Sequence, residues 1–189
     1  MLLFINACVR EGSRTLRLAN HLLEKLKEPV TEVRLDELVF TKSDEKYLEK
    51  RDRLVQESCY DDPLLALAAQ FAAADTVVIA APFWDLSFPA SLKQYFEQIN
   101  IVGITFYYTP EGIPRSLCRA KRLFYVTTAG GPIYSDAYGF GYVKALAEGY
   151  YQIPEVCQIK AEGLDLKDAD VEKILRDAEA FTDNLIETI

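Results

Sequence analysis

Tryptophan, methionine and histidine each occur once in this chain of 189 residues, and cysteine occurs four times. Cys8, Cys59, Cys118 and Cys157 lie far apart, with no CxxC pair and no cluster of histidines, which argues against a structural zinc site or a redox dithiol. They are expected to be small buried hydrophobes in a reducing compartment. No apolar run approaches the roughly 20 residues that cross a bilayer. The opening MLLFINAC runs into a charged segment without a basic region or a small-residue cleavage site, so the expectation is a soluble, cytoplasmic protein. Positive charge is also short: 21 Lys and Arg stand against 29 Asp and Glu, a net charge of −8. Nucleic acid and anionic membranes are held by cations that neutralise phosphates, so neither is expected as a partner. GxGxxG and GxxxxGK[ST] are both missing, which removes the signatures of Rossmann dinucleotide binding and of P-loop chemistry.

Half of the residues are hydrophobic, enough for a full core. There is no internal repeat, low-complexity tract or linker, and one domain is expected over 1–189. Strand and helix signals alternate. MLLFINAC reads as a buried strand. From Ser13 to Lys27, at about 100° per residue, Leu16, Leu18, Ala19, Leu22, Leu23 and Leu26 share one arc of a helix. Ser13 is placed to cap it. VTEVRLDEL alternates as a strand, 41–62 is a charged and partly helical excursion, and Asp62-Pro63 opens the helix LLALAAQFAA. TVVIAAP is a strand, followed by a helix from near Pro89, then by VGITFYYTPEG as an extended segment with a turn. The strand RLFYVTTAGG leads to a helix around Tyr142 to Tyr151 and the strand PEVCQIKAEGL. A last helix from about Asp168 carries Val171, Ile174, Ala178, Phe181, Leu185 and Ile189 as its apolar stripe. Such alternation with apolar strands predicts an α/β fold, a doubly wound parallel sheet with helices on both faces.

In that architecture ligands bind beyond the carboxyl ends of the strands, where strand order reverses. Three strand exits carry unusual chemistry. ACVREGSRT brings Gly12, Ser13 and Thr15 to a helix N-terminus, with Arg10 or Arg14 to add charge: a phosphate cradle, or an ordinary capped turn. PFWDLS puts Phe83 and the single Trp84 at the mouth of a strand, as core residues or as a wall for a flat ring. TTAGGP carries two glycines that let backbone amides approach a ligand, or that simply turn the chain. The functional reading of each is strengthened by their falling on one sheet edge.

APFWDLSFPASLKQYFEQINIVGITFYYTPEG, followed by YVTTAGG, resembles the FMN-dependent NADH-azoreductase and NAD(P)H-quinone oxidoreductase family of flavodoxin-like enzymes. The likeness is specific over 76–131 and looser over the first strand-turn-helix and the final strand-helix unit. It implies a flavodoxin-like, five-stranded sheet, bound FMN, NADH or NADPH as hydride donor, and a homodimer with its active sites at the subunit interface. By the same resemblance Arg10, Ser13 and Thr15 hold the FMN phosphate. Pro82, Phe83, Trp84, Asp85 and Leu86 line the isoalloxazine, with an amide near Asp85 reaching N5. Thr128, Ala129, Gly130 and Gly131 meet the pyrimidine side. Asp85 stands where the family often has Asn, and the phosphate loop is poorer in serine.

The implied reaction passes hydride from NAD(P)H through the flavin to a quinone, azo compound or similar flat acceptor. The protein supplies position and electrostatics, with no catalytic side chain identified and no metal. Tyr134 is a candidate proton donor to the acceptor. His21 falls on the polar arc between Arg17 and Glu24 and is expected to be a solvated surface residue. The competing function is a flavodoxin-like electron carrier without a small-molecule substrate, for which an acidic surface would suit docking to a basic redox partner. The aromatic VGITFYYTPEG and GFGYVKALAEGYYQI segments favour the enzyme, as walls of a substrate pocket or a dimer face.

Overall fold

The computed structural model describes residues 1–188. In chain order the elements are β1 (Leu2–Asn6), α1 (Arg14–Leu26), β2 (Val30–Arg34), α2 (Glu45–Gln56), α3 (Ala66–Ala73), β3 (Thr76–Ala80), α4 (Ala90–Ile99), β4 (Phe106–Tyr108), β5 (Pro114–Ser116), β6 (Arg122–Thr128), α5 (Phe140–Gly149), β7 (Glu155–Ala161) and α6 (Val171–Thr188). Five strands form one parallel sheet in the order β2-β1-β3-β6-β7. β4 and β5 form a separate antiparallel hairpin, so VGITFYYTPEG belongs to a hairpin that lies outside the main sheet.

β1 and β3 are buried along their whole length, as central strands covered on both faces must be. Side chains alternate between two cores. Leu3, Ile5, Val77, Ile79, Leu123 and Tyr125 join the cluster beneath α3, α4 and α5. Leu2, Phe4, Val78, Ala80, Phe124 and Val126 face α1 and α6. From β1 the chain moves outward to β2, then returns to the other side of β1 for β3. The reversal lies between β1 and β3, and there the crevice of a doubly wound sheet opens.

Helix ends follow local chemistry. Ser13 caps α1, its hydroxyl accepting from the Leu16 amide at 3.3 Å. Pro63 begins a three-residue 3-10 turn, Pro63–Leu65, which runs into α3. The last helix begins at Val171, later than Asp168, which has φ +63° and cannot be helical. Asp170 caps α6 by accepting from the Lys173 amide at 2.9 Å.

Val171, Ile174, Ala178 and Leu185 of the expected stripe pack on the core, and Phe181 alone of its described members does not. Leu175, Ala178 and Thr182 are buried, whereas Phe181 is 53% exposed. Thr182 can take a core position because its hydroxyl donates to the Ala178 carbonyl one turn back, at 2.8 Å. Ile189 lies outside the described residues. Two other expectations change. Cys8 is buried and Cys118 and Cys157 are half-buried, but Cys59 is exposed. It follows Ser58 (φ +56°) in a Schellman turn, with Cys59 donating to Leu54 and Ser58 to Val55, and so projects beyond the end of α2. His21 is half-buried in the seam between α1 and α6, with Nε2 2.8 Å from Asp183 Oδ1. Lys25 reaches the same carboxylate, and Arg17 reaches Glu172 and Glu179.

The two readings of α6 differ in a way that urea unfolding resolves. Leu175→Ala should lower stability by about 2–5 kcal/mol. Phe181→Ser should stay within about 0.5 kcal/mol. A large loss at Phe181 would mean that the helix is rotated from the orientation described.

Candidate functional site

At the end of β1, the buried Asn6 shapes the first exit. Its side-chain oxygen accepts from the Cys8 amide at 2.9 Å and its amide donates to Glu32 at 2.8 Å. The chain then turns through Gly12, whose φ of +74° suits a residue without Cβ. The Ser13 amide donates to the Arg10 carbonyl at 3.2 Å, so 10–13 form a tight turn at the head of α1. With the Leu16 amide capped by Ser13, the first amides of α1 are left at its open, electropositive end.

The second exit is fastened to its neighbours by backbone bonds. Ala81 donates to Val126 at 3.0 Å and Phe83 to Thr128 at 3.0 Å. Trp84 and Ser87 then pair through both of their amides, at 2.9 and 2.8 Å. Asp85 (φ +51°) and Leu86 (φ +66°) form the two-residue tip between them. A primed turn of this kind needs positive φ at both positions, and leucine there is strained. The Ser87 hydroxyl anchors the turn by donating to the Tyr138 carbonyl at 2.6 Å.

The third exit leaves β6 and packs on the segment after β7. Ala129 donates to Ala161, Leu164 to Ala129 and Asp165 to Gly130. Thr15 and Thr128 share a buried hydroxyl-hydroxyl hydrogen bond of 2.6 Å, which stitches the first exit to the third.

The three exits line one cleft of about 410 Å³. Of the residues expected in the site, Arg10, Ser13, Thr15, Pro82, Phe83, Trp84, Thr128, Ala129 and Gly130 line it. Asp85, Leu86 and Gly131 follow directly on these and are exposed at the rim, outside the lining. Tyr134 is also outside it and 86% exposed. Trp84 keeps 36% of its surface exposed and has the Arg10 guanidinium 5.9 Å from its ring centroid, an arrangement unlike that of a core tryptophan.

Sequence reasoning missed Asp165, and it gave Arg14 only as an alternative to Arg10. Arg14 donates to the Leu164 carbonyl at 3.1 Å and to the Asp165 carboxylate at 2.7 Å. Both side chains are substantially exposed, so the pair is worth about 0.2–1 kcal/mol. The signal for Asp165 was available: it follows β7, a fourth strand ending on the same sheet edge.

The cleft suits binding better than acid-base chemistry. The Ser13 hydroxyl accepts at the cap, which leaves its proton to donate, and the Thr15 hydroxyl is paired with Thr128. Burial pushes the Cys8 thiol up to about 11, so it stays protonated and is no nucleophile at neutral pH. Arg10, Arg14 and the α1 end offer an anion site beside an aromatic wall. Among the described residues no group of three or more His, Cys, Asp and Glu is placed to hold a metal ion, and no helix is long and apolar enough to cross a membrane.

The flavodoxin-like fold family matches residues 1–184. This chain belongs to that family. Among relatives in sequence, the FMN-dependent NADH:quinone oxidoreductase of Lachnoclostridium phytofermentans is 37% identical over 179 residues, covering 90% of this chain and 89% of that one. The protein of the same name from Clostridium beijerinckii is 34% identical over 180 residues, covering 92% and 90%. In structure, an FMN-dependent NADH-azoreductase from Bacillus anthracis, solved in complex with FMN, superposes with a TM-score of 0.82 at 23% identity, over 99% of this chain and 98% of that one.

The Thr15–Thr128 bond can be tested by what its loss strands. Thr15→Val leaves a buried Thr128 hydroxyl without its partner and should lower stability by about 1–3 kcal/mol. The double change Thr15→Val, Thr128→Val should recover much of that loss, because no unmatched hydroxyl remains. Denaturation midpoints of the parent, Thr15→Val, Thr128→Val and the double variant measure this, and additive losses would deny the pairing.

Proposed function

We propose that this protein is an FMN-dependent NADH:quinone oxidoreductase, passing hydride from NADH through the flavin to a quinone, azo compound or similar flat acceptor. The observation that carries the reading is the meeting of three strand exits in one cleft, with a helix N-terminus and arginines at one end and aromatics along the side. Relatives named for this activity, aligned over about nine-tenths of the chain, support it. NADPH as an alternative donor belongs to the same proposal.

The residues present fit FMN. The turn at Gly12, the amides at the head of α1 and the side chains of Arg10 and Ser13 would hold the phosphate, with Thr15 beneath them. Pro82, Phe83 and Trp84 would face the ring, and the Asp85-Leu86 turn would extend that wall at the rim. Thr128, Ala129, Gly130 and Gly131 would present backbone to the pyrimidine side, where amides favour negative charge. Bound FMN would supply the redox chemistry that links the nicotinamide donor to the acceptor. The protein orients the donor and acceptor against the aromatic wall, and Trp84 and Leu86 offer exposed apolar surface for a flat molecule. Tyr134, 86% exposed and outside the cleft lining, is the candidate proton donor to a reduced acceptor, with water as the other.

A second copy of the chain is the partner we propose for the exposed apolar surface of the hairpin. Tyr107, Tyr108, Ile113 and Leu117 of the hairpin region are each more than two-fifths exposed. Burying such surface in a homodimer is favourable. Four free thiols suit a reducing, cytoplasmic location.

FMN titration tests the cofactor reading. FMN at about 100 times its dissociation constant should add roughly 2.7 kcal/mol to stability. Trp84→Ala should weaken FMN on the order of 1 kcal/mol, with the melting temperature of the FMN-free protein nearly unchanged. A loss of about 3–5 kcal/mol in the FMN-free protein would instead make Trp84 a core residue. For the assembly, sedimentation at micromolar concentration should report about twice the 21.4 kDa chain mass, and a single-chain mass would reject the dimer.

A further inference from the structure

Arg14 is the first residue of α1 and stands beside the Ser13 cap, at the place proposed for the cofactor phosphate. Its guanidinium nevertheless points to the segment after β7. One nitrogen donates to the Leu164 carbonyl at 3.1 Å, the other to Asp165 Oδ1 at 2.7 Å. Asp165 is firmly located. Its amide donates to the Gly130 carbonyl at 2.8 Å, and its carboxylate lies over the face of Gly130. A Cβ on Gly130 would stand 2.2 Å from Asp165 Oδ2, so the missing side chain is the space that the carboxylate fills. Negative charge is thus built into the wall between the helix end and the third exit.

A carboxylate in that position works against an anionic ligand. It neutralises one of the two arginines of the cleft and repels a phosphate brought to the other. Its pairing with Arg14 is solvent-exposed on both sides, which makes it weak, screened by salt and easily exchanged. A phosphate ester carries more charge than a carboxylate and can accept both prongs of a guanidinium, whereas Asp165 takes only one and the Leu164 carbonyl the other.

We propose that Asp165 is an internal competitor for Arg14, which lowers the affinity of the cleft for a phosphate monoester and so keeps the cofactor exchangeable. The proposal rests on the phosphate-cradle reading of the α1 end. It makes Asp165 a residue that sets cofactor selectivity, because it penalises a flavin carrying phosphate and leaves one without phosphate untouched.

Binding of FMN and of riboflavin, which has the same ring and no phosphate, is followed by flavin fluorescence on the full chain. Asp165→Asn should bind FMN about three- to tenfold more tightly than the parent, with riboflavin unchanged. In an Arg14→Gln background the Asp165 change should give a smaller gain in FMN affinity. Equal or weaker FMN binding by Asp165→Asn would overturn the proposal, as would equal tightening of both flavins. If Asp165→Asn does not fold, Asp165→Ser carries the same comparison. A second arm uses inorganic phosphate alone and reads the melting temperature. Phosphate should raise that of Asp165→Asn more than that of the parent. Should the parent bind no FMN while phosphate still separates the two proteins, the cofactor reading falls and the role of Asp165 stands. If phosphate does not separate them, the role of Asp165 falls, whatever FMN does.

Discussion

Parallel pairing of β1 with β3 is the constraint on which the cleft depends. Because β2 lies on the far side of β1, the two connections that leave the carboxyl ends of β1 and β3 diverge, and a crevice must open between them. The ladder does not stop at the strand ends. Ala7 donates to Ala80, Ala81 to Val126 and Phe83 to Thr128, so backbone bonds carry the spacing of the sheet into the loops. The loops are therefore held at strand spacing before any side chain acts, and the cleft inherits the rigidity of two packed cores.

That rigidity allows the sequence to be locally expensive at the rim. The Asp85-Leu86 tip holds two non-glycine residues at positive φ, which a free loop would avoid. It persists because Trp84 and Ser87 exchange two amide bonds and because Ser87 is fastened to Tyr138. On the other flank, Gly130 and Asp165 share space that neither could occupy if both carried full side chains. Local strain at Asp85-Leu86 and close approach at Gly130 thus both stand at the carboxyl edge of the sheet, where this architecture places ligands.

Much of this was legible in the residues. Strand-helix alternation gave the doubly wound sheet, and the three unusual exits gave nine residues of the cleft lining, because apolar runs and glycine-rich exits are local signals. The rest depended on distance in sequence. Phe181 fits an apolar stripe on period alone, yet Thr182 takes the core position once its hydroxyl finds the Ala178 carbonyl. Cys59 is exposed because a left-handed Ser58 carries the chain past the helix end. His21 meets Asp183 across 162 positions. Asp165 meets Arg14 across 151. No pattern in either segment announces its partner.

The ion-paired seam between α1 and α6 has a consequence for synthesis. Leu18 and Leu22 seat α1 on the sheet, but Arg17, His21 and Lys25 have no carboxylates to meet until α6 has left the ribosome. α1 therefore leaves the ribosome well before the helix that buttresses it. A nascent chain thus keeps one flank of α1 open to water until α6 docks against it.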